Sequence, residues 1–494
     1  MLGSTGGFGS IVMIDKLFTQ SAFYGAVALI SRGANVFLLL GLTLVLDPAD
    51  FGALSIILTL SGLAVVIVPL AITQGLALLA ASADAQDKRN YASSAFRFTA
   101  VAVLVWLIAA ELVAEPLCRW IIGPERYVPV FRIGLVVIAV NIAFDFIQNQ
   151  FRWEFRLKEY ALVSLSFALP TLIFAFLFAF LWPDPLQGIL IGQVIGGTAA
   201  IVWGLWRLRN SLSGTFEWPK VCEMLRLTAP LVPASLAFLY SQYAGRFILN
   251  DTVGLDAVGS YSFASQIAGI AAVALVGVQN AVIPLIMSNH QDPETPRVLS
   301  RAFEFFTGAG VLLALGLGLV TPVAIAAVGN PLYRSAAPLV VLLSLSVVVS
   351  AMYVFLPGFL VAKRPWRQMW VSFAGVAISV SLNYFLSVRF GTLGAAAATL
   401  LASVLMLSLW YVFSKPLYPM RVRMLTCFCA VFLAAVAGEA ALFFSSASYA
   451  LAIAAKTAAF ALVLLFVTAT GLISLRDLHT AGASLLSRFR VRTR

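Results

Sequence analysis

The sequence predicts an all-α polytopic membrane protein of about fourteen transmembrane helices. About fourteen apolar stretches, each near 20 residues long, alternate with short polar loops to the end of the chain. The mean hydropathy is +0.97, and only 11% of the residues are charged. A helix needs roughly 20 apolar residues to cross a bilayer core about 30 Å thick. Lipid cannot hydrogen-bond to backbone N–H and C=O groups, so these groups must bond to each other within the protein. Soluble folds are therefore disfavoured.

The apolar stretches locate each helix to within a few residues. The predicted spans are 22–46, 51–78, 92–110, 130–151, 161–181, 186–206, 229–249, 258–287, 302–327, 337–362, 369–388, 393–413, 425–444 and 450–472. The first span is too long for the core of a signal peptide and lacks a small-residue cleavage site. We therefore expect it to remain as a helix.

A short internal sequence repeat divides these spans into two groups. Asp50-Phe51-Gly52-Ala53-Leu54-Ser55 follows the first span, and Ala257-Val258-Gly259-Ser260-Tyr261-Ser262 follows the seventh. Both segments place an apolar side chain, a glycine and a serine at the start of the next helix. Two tandem six-helix units related by an axis along the membrane normal would produce this pattern. Chance similarity is the alternative, since glycine and serine are common in such helices.

The grouping predicts six segments of chain, with two six-helix lobes around a central cleft. They are a cytoplasmic N-terminal segment (1–21), a first lobe (22–207), a cytoplasmic linker (208–228), a second lobe (229–413), two additional C-terminal helices (414–475) and a basic cytoplasmic tail (476–494).

The formal net charge of +11 predicts membrane topology rather than nucleic-acid binding. With the N-terminus in the cytoplasm, the predicted inner segments hold 23 of the 32 Lys and Arg residues, and the outer segments hold four. This bias follows the positive-inside rule and places both termini in the cytoplasm. The basic tail is interpreted as a topology anchor that touches anionic lipid.

The chain offers few residues for catalysis or metal binding. No two of its four cysteines have metal-ligand spacing, and both histidines, His290 and His479, fall in predicted cytoplasmic segments. No G-x-x-x-x-G-K-[ST] loop for ATP is present. No long outer loop carries acidic residues, which argues against a membrane glycosyltransferase. We expect neither a metal nor another cofactor.

Three segments carry motifs in a fixed order. They read Leu46-Asp47-Pro48-Ala49-Asp50-Phe51-Gly52, then Gly254-Leu255-Asp256-Ala257-Val258-Gly259-Ser260-Tyr261, then Asn383 followed by Gly391-Thr392-Leu393-Gly394-Ala395-Ala396. In order, spacing and helix count they resemble the polysaccharide flippases of the multidrug/oligosaccharidyl-lipid/polysaccharide exporter superfamily. The resemblance spans residues 22–413, and the last two helices fit the fourteen-helix polysaccharide branch better than the twelve-helix drug exporters.

The resemblance implies a flippase, not an enzyme. Such a protein moves polyprenyl-pyrophosphate-linked oligosaccharide units across the bacterial inner membrane by alternating access, for exopolysaccharide, capsule or O-antigen assembly. Its expected partners are the lipid-linked substrate, membrane lipid, and polysaccharide polymerase and export proteins. One departure is notable. Family members often carry an acidic residue beside the arginine of helix seven, whereas this chain reads Gly245-Arg246-Phe247, which puts carboxylate-dependent ion coupling there in doubt.

Polar side chains within the spans are the candidate substrate-binding residues. A charge in the hydrocarbon costs about 2.5–3.5 kcal/mol on insertion scales, so it normally faces a partner or a wet cavity. Arg32 lies near the middle of the first span, and Asn35 lies on the same helical face. In the seventh span, Gln242, Arg246 and Asn250 recur every four residues. Two guanidiniums can clamp a pyrophosphate through bidentate hydrogen bonds.

Two other spans add polar residues to the predicted cleft. Ser262 and Gln266 form a short stripe that opens the eighth span, and Gln266 is a candidate sugar contact. Asp145 lies in the fourth span with Asn141 and Asn149 one turn away on either side. Asp145 is a candidate for ion coupling, by orienting an arginine or by taking up a proton or sodium ion.

Each of these charged residues also has a structural interpretation. Arg32 would suit a buried ion pair. Arg246 lies near the outer end of its helix and could extend to the interface. Asp145 could simply pair with a neighbouring helix.

Two ion pairs are predicted outside the candidate site. Glu439 and Lys456 lie at matching depths, about six residues from the outer ends of the thirteenth and fourteenth helices. We expect them to pair or to face a shared groove, with a lipid-head contact as the alternative. Glu304 lies one turn from Arg301 at a cytoplasmic helix end and is expected to pair with it.

Two other functions remain open. A multidrug or small-cation exporter of the same superfamily is the first alternative, but it should have an acidic and aromatic site, whereas this chain places arginines in the membrane. A polysaccharide polymerase is the second, but it should display a sizeable outer loop.

Overall fold

The chain is helical almost throughout the part that the structure describes. A computed structural model describes residues 41–229, 231–289, 292–328, 330–362, 365–444 and 449–473, and no strand occurs among them. Ten helices in this part are long and apolar enough to cross a membrane. The all-α membrane fold is therefore confirmed. The count of fourteen spans stays a prediction, because most of the first span lies outside the described residues.

The described chain forms two compact units, Met1–Phe263 and Ala264–Arg494. The helices of the first unit are α1 (Pro48–Ile67), α2 (Ile72–Ser82), α3 (Ala85–Leu112), α4 (Ala114–Ile121), α5 (Val128–Trp153), α6 (Leu157–Leu181), α7 (Pro185–Leu208), α8 (Trp218–Thr228) and α9 (Leu231–Thr252), and α10 (Leu255–Asn289) begins there. The fourth to sixth predicted spans match α5, α6 and α7 within four residues, and the third lies inside α3, which begins seven residues earlier than predicted.

The second predicted span, 51–78, is two helices rather than one. Pro69 lies in the break between α1 and α2. The next two residues, Leu70 and Ala71, have positive φ angles of 50° and 53°. Residues other than glycine rarely adopt this conformation, so the chain turns sharply here.

Helix α8 occupies the second half of the segment 208–228, which the sequence predicts to be a cytoplasmic linker. Its residues Val221 and Met224 are fully buried, in a cluster with Ile72 and Leu76 of α2. Lys220 of α8 pairs with Asp87 of α3, with 2.5 Å between Nζ and Oδ1. The helix was missed because its apolar face is too short to resemble a membrane span.

The second unit continues the helical pattern. It contains the rest of α10, then α11 (Thr295–Val328), α12 (Ala337–Ala351), α13 (Gly358–Val361), α14 (Pro365–Ser414), α15 (Met424–Phe444) and α16 (Tyr449–Ala469). Helix α14 covers two predicted spans. Gly391, with φ of 58° and ψ of −135°, separates its two halves, so the glycine of the third motif makes the turn between them.

Small residues let helix backbones approach closely in both units. Gly188, Gly192 and Gly196 of α7 lie against the backbone of α6. Gly394, 206 positions after Gly188, lies against the carbonyl of Leu386. Helices in membranes pack most closely through such residues. This explains Gly394 of the third motif.

A polar cluster fixes the start of α15 and the end of α16 to α11. Glu304 of α11 is 6% exposed, and its Oε2 lies 2.5 Å from Nη2 of Arg423 and 3.6 Å from Nη1 of Arg301. The predicted contact between Arg301 and Glu304 is therefore present, but Arg423 is the closer partner. The hydrogen bond from Arg423 to Glu304 raises the pKa of this arginine above its ordinary value.

Candidate binding site

The N-terminal ends of α1 and α10 cross at very close range. A Cβ atom added to Gly52 would overlap the carbonyl oxygen of Leu255, and one added to Gly259 would overlap the carbonyl oxygen of Pro48. Each glycine thus meets the carbonyl four residues before the other glycine, and both pairs of equivalent residues are 207 positions apart. This reciprocity is what two copies of one motif would form around a local twofold axis.

Two serines meet one turn beyond this crossing. Ser55 and Ser262 are also 207 positions apart, and their Oγ atoms lie 2.6 Å from each other. Arg246 of α9 donates from Nε to both hydroxyls, at 3.0 Å to Ser55 and 3.3 Å to Ser262. One arginine is therefore bound to both repeat-related hydroxyls.

The remaining surroundings of Arg246 are aromatic rather than acidic. The guanidinium carbon lies 5.4 Å from the ring centroid of Tyr243, and Tyr261 is buried nearby on α10. Among the described residues, no carboxylate lies within ion-pair distance of Arg246, and its two Nη atoms have no hydrogen-bond partner. A partly buried cation of this kind is expected to face a wet cavity or an anionic partner.

The other predicted substrate contacts are placed differently. Asn250 donates from Nδ2 to the carbonyls of Ile121 at 2.8 Å and Ile122 at 3.2 Å, and so caps the end of α4. Gln266 is partly buried on α10, one turn after Ser262. Arg32, Asn35 and the side chain of Gln242 lie outside the described residues. Among the described polar residues of the seventh and eighth spans that the sequence singled out, the structure thus brings Arg246 and Ser262 into contact.

Asp145 lies in a row of amide side chains on α5. It accepts a hydrogen bond from Asn149 at 2.9 Å, while Asn141 donates to Ser61 of α1 at 2.9 Å. Within the described chain, Asp145 has no ion pair with an arginine or lysine. The structure does not bring it to Arg246.

The predicted ion pair between Glu439 and Lys456 does not form in the structure. Both side chains are described and partly buried, but the Oε1 atom of Glu439 is buried without a hydrogen-bond partner, and no ion pair joins it to Lys456. Matching depths were inferred from distance along each helix. Rotation about the helix axis decides whether two side chains meet, and that rotation is set by packing.

Ser55 was not among the residues predicted to contact Arg246. The sequence did contain an indication of this contact, because the internal repeat aligns Ser55 with Ser262. A lone serine in an apolar helix usually bonds to its own backbone, so only the pairing of the two segments reveals the contact with Arg246.

The fold is that of membrane flippases and transporters. The chain is similar to the lipid II flippase MurJ in an inward closed conformation, with 13% identity, a TM-score of 0.63 and coverage of 91% of this chain and 98% of that one. An inward-facing multidrug resistance MATE transporter of the MOP superfamily matches with 13% identity, a TM-score of 0.60 and coverage of 78% and 95%.

The sequence itself shows the family. Residues 18–290, more than half of the chain, match the family described as polysaccharide biosynthesis protein. The chain belongs to this family, which agrees with the resemblance found in its motifs. No curated protein matches the sequence.

Proposed function

We propose that this protein is a flippase, not an enzyme, that moves polyprenyl-pyrophosphate-linked oligosaccharide units to the outer face of the bacterial inner membrane. It would act by alternating access in exopolysaccharide, capsule or O-antigen biosynthesis. The family and the transporter fold support this proposal. The observation that carries it is Arg246, a membrane arginine that no described carboxylate neutralises.

A diphosphate is the ligand that this arginine suits. The planar guanidinium presents paired donors that match phosphate oxygens, and hydrogen bonds between charged groups are about twice as strong as neutral ones. Within the part of the chain that the structure describes, nothing bonds to the two Nη atoms of Arg246, so they can make such bonds. The polyprenyl tail can stay in the bilayer, so only the head group needs a polar route.

The other residues of the predicted site are assigned supporting roles in this proposal. Arg32 supplies a second cation and Asn35 a neighbouring amide, while Gln242 and Gln266 contact sugars. Asn250 supports Arg246 indirectly, since it holds the outer end of α9 to α4. Asp145 is proposed to take up the coupling ion.

The location of the protein is part of the same proposal. A multi-pass protein with both termini in the cytoplasm would receive its lipid-linked substrate from the inner leaflet. Polysaccharide polymerase and export proteins would then act on the product at the outer face.

The test compares two substrates in the same proteoliposomes. Flipping of a pyrophosphate-linked oligosaccharide is followed with a membrane-impermeant sugar probe, and efflux of a fluorescent organic cation is followed in parallel. We expect flipping without cation efflux. Cation efflux without flipping would contradict the proposal and favour a multidrug exporter.

A further inference from the structure

We propose that Ser55 and Ser262 are positioning residues, which orient Arg246 so that its two Nη atoms grip a diphosphate and discriminate it from a monophosphate. The inference rests on the proposed function of Arg246 as the diphosphate ligand. It adds the part of the site that sets its selectivity.

A guanidinium has two edges that can bind phosphate. An arginine can bind phosphate side-on through Nε and one Nη, or end-on through both Nη atoms. The Nε of Arg246 already donates to Ser55 and Ser262 at 3.0 and 3.3 Å. The Nε edge is therefore occupied, while nothing in the described part of the chain bonds to the two Nη atoms. Their two parallel N–H donors can each meet an oxygen of a different phosphoryl group in a diphosphate, whereas a monophosphate offers only one phosphoryl group.

The serine pair also fixes the plane of the guanidinium. The two hydroxyls hydrogen-bond to each other at 2.6 Å, so each limits the rotation of the other. Ser262 is fully buried and Ser55 is 9% exposed. Nε is thus held between two hydroxyls that cannot turn freely, and the ring of Tyr243, 5.4 Å from the guanidinium carbon, lies beside the group.

This arrangement depends on the close crossing of α1 and α10. The serines can touch because Gly52 and Gly259, one turn earlier, allow the two backbones to approach. The orientation of Arg246 is therefore coupled to the contact between the ends of these two helices. If the ends of α1 and α10 separate, Nε can no longer bond to both serines. The two Nη donors are then no longer held in the orientation that binds a diphosphate.

The experiment measures selectivity rather than affinity alone. Full-length protein in nanodiscs is titrated with a polyprenyl diphosphate and, separately, with the matching polyprenyl monophosphate. The proteins are wild type, Ser55→Ala, Ser262→Ala, the double alanine variant and Arg246→Ala. Ser93→Ala is the control, because Ser93 is a fully buried serine whose hydroxyl donates to the carbonyl of Gly214 at 2.8 Å, away from Arg246.

We expect the preference of wild type and of Ser93→Ala for the diphosphate to be at least about tenfold, the size of one charged hydrogen bond. The double alanine variant should lose most of this preference while it still binds both lipids, since Arg246 keeps its charge. A variant that merely misfolds would bind less of both lipids at an unchanged ratio.

Two results would overturn the inference in distinguishable ways. If the double variant keeps the wild-type ratio while Arg246→Ala loses diphosphate binding, the serines do not position Arg246, and the proposed function stands. If Arg246→Ala binds the diphosphate as wild type does, Arg246 is not the ligand, and both the inference and the proposed site fail.

Discussion

Gly52 and Gly259 lie 207 positions apart, and each packs against the backbone carbonyl four residues before the other. The reciprocal contact brings Ser55 to Ser262 one turn later and so creates the two acceptors of Arg246. A backbone contact that needs glycine is therefore the foundation of the candidate site. The two copies of the internal repeat, 50–55 and 257–262, are in contact here.

Adding a methyl group at this crossing should destabilise the protein. Gly259→Ala would drive a Cβ into the carbonyl of Pro48, and the helix ends must separate to relieve the overlap. We expect a loss of about 1–3 kcal/mol, typical of overpacking, seen as a lower Tm. The control is Gly316→Ala, where the nearest atom would lie 3.9 Å away in Phe460. Equal Tm values for the two variants would show that the crossing tolerates a side chain.

Removing Arg423 should loosen the last two helices from α11. Arg423→Ala removes the guanidinium and leaves the buried Glu304 with the backbone N–H of residue 423 at 3.2 Å and the longer contact to Arg301 at 3.6 Å. Breaking a buried pair costs about 3–5 kcal/mol and exposed pairs contribute about 0–1, so an intermediate loss of about 2 kcal/mol is expected for this half-exposed arginine. Arg297→Ala is the control, because its pair with Glu294 is exposed. A thermal unfolding curve for Arg423→Ala that coincides with that of Arg297→Ala would refute this role.

The predicted topology can be read from cysteine labelling. Cys222 on α8 and Cys429 on α15 are the exposed cysteines, so both tests use a Cys429→Ala background. Cys222 should then react with a membrane-impermeant maleimide only from the cytoplasmic side. Trp120 on α4 is 82% exposed, so Trp120→Cys with Cys222→Ala added should react only from the opposite side. Labelling is measured on spheroplasts and on inverted vesicles. Both positions reacting from one side would show that the assigned orientation is wrong.

Lys220 should give the α3–α8 contact a defined pH dependence. Burial alone would lower the pKa of Lys220, but hydrogen bonds to Asp87 and Glu217 raise it above the ordinary value of 10.5. Because folding favours the protonated amine, this stabilisation is fully present below pH 10.5 and is lost as the pH rises through the raised value. The Tm difference between wild type and Lys220→Met should be constant from about pH 7 to 9 and shrink at higher pH. A difference that does not change with pH would mean that the charge is irrelevant there.

Most helix positions were predictable because the bilayer constrains them. An apolar run of about 20 residues can lie in lipid only as a membrane-spanning helix. Helices α5, α6, α7 and α15 accordingly begin and end close to the expected residues. The errors occur where this constraint is absent. The break at Pro69 is local backbone chemistry, and α8 is too short to cross a membrane, so hydropathy marks neither.

The site was less predictable because contacts across the chain depend on helix rotation. The polar stripe of α9 identified Arg246 but also Asn250, which the structure uses to cap α4. Matching depths suggested a contact between Glu439 and Lys456 that does not form. By contrast, the repeat formed by 50–55 and 257–262 indicated the Ser55–Ser262 contact, since equivalent positions of two repeats can meet at the symmetry axis that relates them.

The most direct test of the account is the flipping rate of Arg246→Ala. Proteoliposomes with equal amounts of folded protein are loaded with a pyrophosphate-linked oligosaccharide, and its appearance at the far face is followed with an impermeant sugar probe. The control is Arg132→Ala, which removes an exposed arginine near the start of α5. We predict that Arg246→Ala loses at least about 90% of the flipping rate, since a bond between charged groups contributes roughly 1.5–3 kcal/mol, while Arg132→Ala keeps it. A flipping rate of Arg246→Ala equal to that of wild type would contradict the claim that Arg246 binds the diphosphate of the substrate.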